Sequence, residues 1–159
     1  MRHARGFTPS KFRSRPAVFS VVVLALVACA DPPDVRFADG GGADWQDWRG
    51  QWVLVNYWAE WCGPCREEIP ELNRLNDERA GVRVLGVNFD GVDGAALEAL
   101  ADEMGIEFPV LLEDPRERWD EALPKVLPTT FLVDPDGRLH DVLVGPQTFE
   151  SLSRAIDEA

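Results

Sequence analysis

From Trp52 onward the apolar positions follow two alternating rhythms. "WVLVNYW", Trp52–Trp58, is a nearly unbroken apolar run rich in β-branched and aromatic residues, the pattern of a strand covered on both faces. In the following "CREEIPELNRLNDERAG", Cys65, Ile69, Leu72 and Leu75 recur at three- and four-residue intervals, with acids early, Arg79 late and Gly81 as a stop. That spacing predicts an amphipathic helix, kinked at Pro70. "VRVLGVNFD", Val82–Asp90, predicts a second buried strand, and strand, helix and strand in this order make a right-handed parallel unit. A second helix is expected over Ala95–Gly105, a short strand over Val110–Leu112 and a short helix over Pro115–Leu123. Thr130–Asp134 and Leu139–Val144 read as the strands of a hairpin turned by Asp134, Pro135, Asp136 and Gly137. Thr148 is suited to cap a last helix, whose one face carries Phe149, Leu152 and Ile156. The sum is an α/β domain over residues 44–159, a mixed central sheet with helices on both faces.

Residues 1–43 follow neither rhythm. Arg2, Arg5, Lys11, Arg13 and Arg15 form a basic head with no acid among them, followed by the apolar "AVFSVVVLALVA", Ala17–Ala28. A basic head before a short apolar body is an export signal, here residues 1–28. An apolar body of twelve residues falls short of the ~20 that a helix needs to cross a bilayer. The body ends in "LVAC", Leu26–Cys29, which resembles the lipobox of bacterial lipoproteins. That resemblance implies cleavage before Cys29, a lipid on Cys29, and a periplasmic domain held through it to the inner or the outer membrane. "ADPPDVRFADGGGA", Ala30–Ala43, then reads as a tether, residues 29–43 in all, with a short strand at Val35–Phe37.

Charge narrows the partners. Of 16 basic and 28 acidic residues, loss of residues 1–28 removes five basic and no acidic ones, leaving 11 against 28 and a formal net charge of −17. So acidic a surface repels phosphate backbones and anionic headgroups; nucleic-acid binding is not expected, and attachment to the membrane falls to the lipid. The three cysteines divide into one lipid site and one Cys-x-x-Cys pair, which leaves no framework of structural disulfides.

The pair is Cys62 and Cys65. Cys62 stands where a strand gives way to a helix, so unpaired N–H groups and the positive helix end favour its thiolate and make it the nucleophile. Gly63 keeps the approach clear, and Pro64 fits the first helical turn, where its missing N–H costs nothing. Cys65, one turn further in on the apolar side, is shielded and suited to resolve a mixed disulfide formed by Cys62. A zinc site would need two more ligands, and His140 is the only histidine after the signal segment, so no metal is expected. An inert staple is a poor alternative, because a loop this small restrains the unfolded chain little.

"VLVNYWAEWCGPC", Val53–Cys65, resembles the active-site segment of thioredoxins, and Pro70 falls where that family kinks its active-site helix. "GVRVLGVNFDG", "GIEFPVLLEDP" and "LPTTFLVDPDG" are most similar to the TlpA/ResA-like branch of membrane-anchored thioredoxin relatives. The resemblance implies a thioredoxin fold and thiol-disulfide exchange without a cofactor. It also implies a cis bond between Leu127 and Pro128, with Leu127, Pro128 and Thr129 beside the cysteines, where an extended substrate pairs with the backbone. Trp61 is expected to shape the docking surface, Trp58 to lie in the core, and His140 to face solvent. Thioredoxins carry a buried aspartate in the preceding strand; here that position is Asn56, a neutral amide that cannot serve as a base. Glu60 is the nearest carboxylate in sequence and is expected to be exposed, which leaves the proton of Cys65 without an acceptor.

Gly63 and Pro64 match the reducing thioredoxins, which lie about 150 mV below the strong oxidant DsbA, ~7 kcal/mol for two electrons. The resemblance therefore implies a reductase of disulfides in exported proteins, with apocytochrome c and copper-site cysteines as candidate clients and a transmembrane DsbD- or CcdA-type protein as electron donor. Two other classes share the fold. Peroxiredoxins place their cysteine in a Pro-x-x-x-Thr/Ser-x-x-Cys context, of which Trp58–Cys62 has neither the proline nor the hydroxyl residue. Copper-delivery proteins use a wider cysteine spacing and a distal histidine.

Overall fold

The computed structural model describes Met1 and residues 32–159. Two short strands, β1 (Val35–Arg36) and β2 (Gly42–Ala43), pair with each other in antiparallel fashion. Five more form the central sheet: β3 (Trp52–Trp58), β4 (Val82–Asn88), β5 (Val110–Leu111), β6 (Thr129–Val133) and β7 (Leu139–Val144), in the order β5-β4-β3-β6-β7. β3 and β4 run parallel from Trp52↔Val82 to Trp58↔Asn88, and β3 meets β6 antiparallel from Val53↔Val133 to Tyr57↔Thr129. β3 is central because both its faces are apolar, so neither could be left to water.

Helices are expected on both faces, but the two faces are covered unequally: the three α-helices of the described residues share one, and the only helices that reach the other are 3-10 turns. Leu54, Trp58, Val84 and Leu132 face α1 (Gly63–Glu78), α2 (Gly94–Met104) and α3 (Phe149–Asp157). The steps from β3 to β4 and from β4 to β5 go the same way across the sheet, so two right-handed crossovers bring α1 and α2 to one side. Val53, Val55, Tyr57, Leu85, Phe131 and Val133 form the other face, covered by Val35, Trp48 and Trp119 from β1 and two single-turn 3-10 helices, Trp45–Trp48 and Arg116–Trp119.

Two expected elements differ. The stretch 32–43, expected as a tether, folds against the sheet from Asp34 on: Val35 is buried, Phe37 bridges to Leu111, and the N–H of Ala38 donates to the carbonyl of Val110. Val35 and Phe37 supply apolar cover to the sheet face that lacks an α-helix, so the domain starts near residue 32 and not at Asp44. The helix expected over Pro115–Leu123 is one 3-10 turn that ends at Asp120, whose φ of 56° is left-handed. The signal segment and Cys29 lie outside the described residues. No helix among the described residues is long and apolar enough to cross a membrane.

Candidate active site

β3 aims the chain at the site. The strand ends at Trp58, Ala59 is buried beside it, and the N–H of Cys62 donates to the Ala59 carbonyl at 3.1 Å, closing a tight turn before α1. Cys62 is the N-cap of α1, in extended conformation, and its Sγ accepts a hydrogen bond from the N–H of Cys65 at 3.2 Å. That N–H is one of the donors a helix start leaves unpaired, and here it is spent on sulfur. Cys62 and Cys65 form a disulfide, with Cα atoms 5.3 Å apart. Both are buried in this oxidised form, Cys62 at 3% and Cys65 at 1% exposure.

Gly63 and Pro64 form the exposed first turn. A Cβ on Gly63 would meet nothing within 4 Å, so the chain's own packing does not require glycine there and the space before the disulfide stays open. The bond between Leu127 and Pro128 is cis. The Tyr57↔Thr129 register sets Pro128 opposite Trp58, at the end of the sheet from which the chain runs on to Cys62. Pro128 accepts from the Gly145 N–H at 2.9 Å, and the Thr129 hydroxyl donates to the Val126 carbonyl at 2.8 Å. Leu127 is half-buried and touches both core clusters.

Trp58 is fully buried, whereas Trp61 is 65% exposed. Trp61 is nonetheless held: its indole N–H donates to the Asp90 carboxylate at 2.9 Å, and its ring meets Phe89 edge-on. Sequence reasoning missed Asp90, since nothing local ties a loop after β4 to a residue 29 positions earlier. Glu60 is exposed. His140 is exposed on β7 with its ring against Trp52. Trp52 begins β3, so His140 sits at the opposite end of the seven-residue strand from Cys62, about 20 Å away. Among the described residues no group of three His, Cys, Asp or Glu side chains could hold a metal ion.

The site's main surprise is Glu68. It lies three residues after Cys65 on the inner side of α1, and it is only 1% exposed. Its Oε1 accepts from Asn56 Nδ2 at 3.2 Å and from the Thr130 hydroxyl at 3.4 Å, while Oε2 has no hydrogen-bond partner. Burial raises its pKa from 4.5 to about 8, against the lowering effects of the Thr130 hydroxyl and the Gln147 backbone N–H. A carboxyl that is neutral near pH 7 and sits one helical turn from a buried thiol is matched to exchange a proton with it. The signal was present in the sequence: the apolar face of α1 reads Cys65, Glu68, Ile69, Leu72 and Leu75, and an acid interrupts it at i+3 from the cysteine.

A disulfide at a helix N-terminus, a cis-proline at the same end of the sheet and a buried acid one turn beyond the inner cysteine define a thioredoxin-fold thiol-disulfide oxidoreductase. The AhpC/TSA family profile matches residues 31–142. Thiol-disulfide oxidoreductase ResA of Geobacillus kaustophilus is 32% identical over 141 residues, covering 84% of this chain and 78% of its own. ResA of Bacillus subtilis is 32% identical over 123 residues, 75% of this chain and 68% of its own. The solved structure of a thiol-disulfide isomerase from Corynebacterium glutamicum superposes with a TM-score of 0.63 at 26% identity, covering 80% of this chain and 92% of the other. The chain belongs to the AhpC/TSA family and, within it, to the ResA-like thiol-disulfide oxidoreductases.

Proposed function

We propose that this oxidoreductase works as a reductase of disulfides in exported proteins, in the periplasm and tethered by lipid at Cys29. The observation that carries the chemistry is the placement of Cys62 Sγ at the start of α1, where it takes the Cys65 N–H, with Glu68 buried one turn beyond Cys65. The Cys62 thiolate attacks one sulfur of a client disulfide, and the other client sulfur leaves as a thiol. The ionised form of Glu68, a minority near neutral pH, then takes the proton of Cys65, and the Cys65 thiolate attacks Cys62, which releases the second client sulfur and closes the Cys62–Cys65 disulfide. Two electrons pass to the client in this exchange, and its two sulfurs leave as thiols. The protein must be reduced again before the next turn, and a transmembrane donor of the DsbD or CcdA kind is the fitting source, since the periplasm holds no reducing buffer.

The Gly63-Pro64 pair supports the reducing direction through its likeness to thioredoxins, and residues 1–29 support export and lipid attachment. Apocytochrome c and copper-site proteins are the proposed clients on the strength of the ResA resemblance. The AhpC/TSA match gives a peroxidase reading some standing. Against it stands the sequence before Cys62, which lacks the proline and hydroxyl of a peroxide site. A copper-delivery role is disfavoured by the remoteness of His140.

The test is trapping. Cys65→Ser expressed in an exporting bacterium should accumulate mixed disulfides on Cys62, and Cys62→Ser should trap none. Equal trapping by the two variants, or stoichiometric consumption of hydrogen peroxide by the wild type, would overturn this reading.

A further inference from the structure

The buried trio Asn56, Thr130 and Glu68 joins three elements, β3, β6 and α1, beneath the reactive pair. Its hydrogen-bond directions are constrained by donor count. Asn56 Nδ2 carries two hydrogens and reaches two acceptors, Glu68 Oε1 at 3.2 Å and Thr130 Oγ1 at 3.0 Å. Having accepted from Asn56, the Thr130 hydroxyl is free to donate its single hydrogen, and Glu68 Oε1 lies 3.4 Å away. Both donors therefore converge on the same carboxyl oxygen. Oε2 is buried and has no donor within hydrogen-bond distance, although the Gln147 N–H lies near enough to the carboxyl to favour its charge.

We propose that Asn56 and Thr130 are positioning residues for the exchange: by directing both hydrogen bonds to Oε1 they make it the carbonyl oxygen and confine the movable proton of Glu68 to Oε2. This rests on the reading that Glu68 takes the proton of Cys65. A carboxyl group free to turn over would present either oxygen to the thiol with equal chance; the clamp leaves one. It also accounts for an amide at position 56. A second carboxylate there would share a proton with Glu68 and blur the step, whereas Asn56 turns its Nδ2 donor to Glu68 and, as an amide that does not titrate, cannot compete for the proton. The groups that meet Glu68 from β3, β6 and the β7–α3 connection are Asn56, Thr130 and the Gln147 N–H, none of which titrates. Its own helix contributes Cys62 and Cys65 on the inner side, and Glu71 is turned to the Phe149 N–H at 3.0 Å.

Infrared spectroscopy of the oxidised full-length protein reads the clamp directly. At neutral pH the carboxyl C=O stretch that vanishes in Glu68→Gln belongs to Glu68. The expected result is an upward shift of that band in Thr130→Val and in Asn56→Leu, because a carbonyl that loses a donor stiffens, with the wild-type position restored in Thr130→Ser. In parallel, the pH midpoint for resolving a mixed disulfide on Cys62 should rise by about one unit in Thr130→Val, since a donor that favoured the carboxylate is gone, and return in Thr130→Ser. A band that stays put or moves down in Thr130→Val overturns the proposal. If Asn56→Leu does not fold, the Thr130 pair decides alone. The infrared result needs no turnover, so it fails separately from the acceptor reading, which is overturned by unaltered resolution in Glu68→Gln.

Discussion

Replacing Glu68 by Gln removes a titrating group from a site that penalises its charge. The carboxyl titrates at about 8 in the folded protein against an ordinary 4.5. The sign follows from proton counting. Below pH 4.5 the folded and unfolded chains both hold the proton, and Glu68 adds no pH dependence. Between 4.5 and about 8 the unfolded chain releases it while the folded chain keeps it, so the folded state binds more protons and loses stability as pH rises. Above that window both are ionised and the loss levels off. A separation of about 3.5 units at 1.36 kcal/mol each sets the loss at ~5 kcal/mol. Exposure of only 1% means that solvent does little to reduce it. Gln is nearly isosteric and keeps an acceptor for Asn56 and Thr130, so the variant should match the wild type at the acid end and exceed it by several kcal/mol at the alkaline end. Urea unfolding of both oxidised proteins across the window measures this, and subtracting the two curves cancels the other carboxylates. A difference that stays constant with pH, or that favours the wild type as pH rises, would refute the assignment of Glu68 as a buried, neutral acid.

Val35→Ala should cost about 1 to 2 kcal/mol in a thermal or urea melt, because Val35 belongs to the core; a true tether position would cost nothing measurable. Gly86→Ala should destabilise by about 1 to 3 kcal/mol, since a Cβ there would lie 3.0 Å from the Trp58 indole nitrogen, 3.1 Å from Phe108 and 3.2 Å from Val110 in a packed interior. Asp90→Asn should leave stability within ~0.5 kcal/mol yet increase collisional quenching of Trp61 fluorescence, because a neutral amide holds the indole N–H less firmly than a carboxylate does. Unchanged quenching would show that Phe89 alone orients the ring.

Much of this was legible in the chain, and the residues that were not share a cause. The strands β3, β4 and β6 and the helices α1 to α3 follow from apolar periodicity and from Gly105 and Thr148 as stop and cap, because local pattern and tertiary burial agree there. Placing Cys62 at a helix start needed only the change from strand to helix rhythm. Residues 32–43 misled because proline, glycine and acid are the composition of a linker, while two apolar side chains, Val35 and Phe37, suffice to dock a short hairpin on a bare sheet face. Sharing of one face by all three α-helices depends on strand order, which no local pattern encodes. Asn56 could be read as a missing base, but not as the partner of Glu68: that pairing is made between β3 and α1 across the core, and only the fold reveals it.

The central claim is that Cys62, at the N-terminus of α1, is an activated thiolate that exchanges with protein disulfides. The most direct measurement is the pH dependence of Cys62 alkylation by iodoacetamide in the reduced Cys65→Ser variant. A midpoint well below the ~8.5 of free cysteine is predicted from the helix start that faces the sulfur. A midpoint at or above that value would contradict the account.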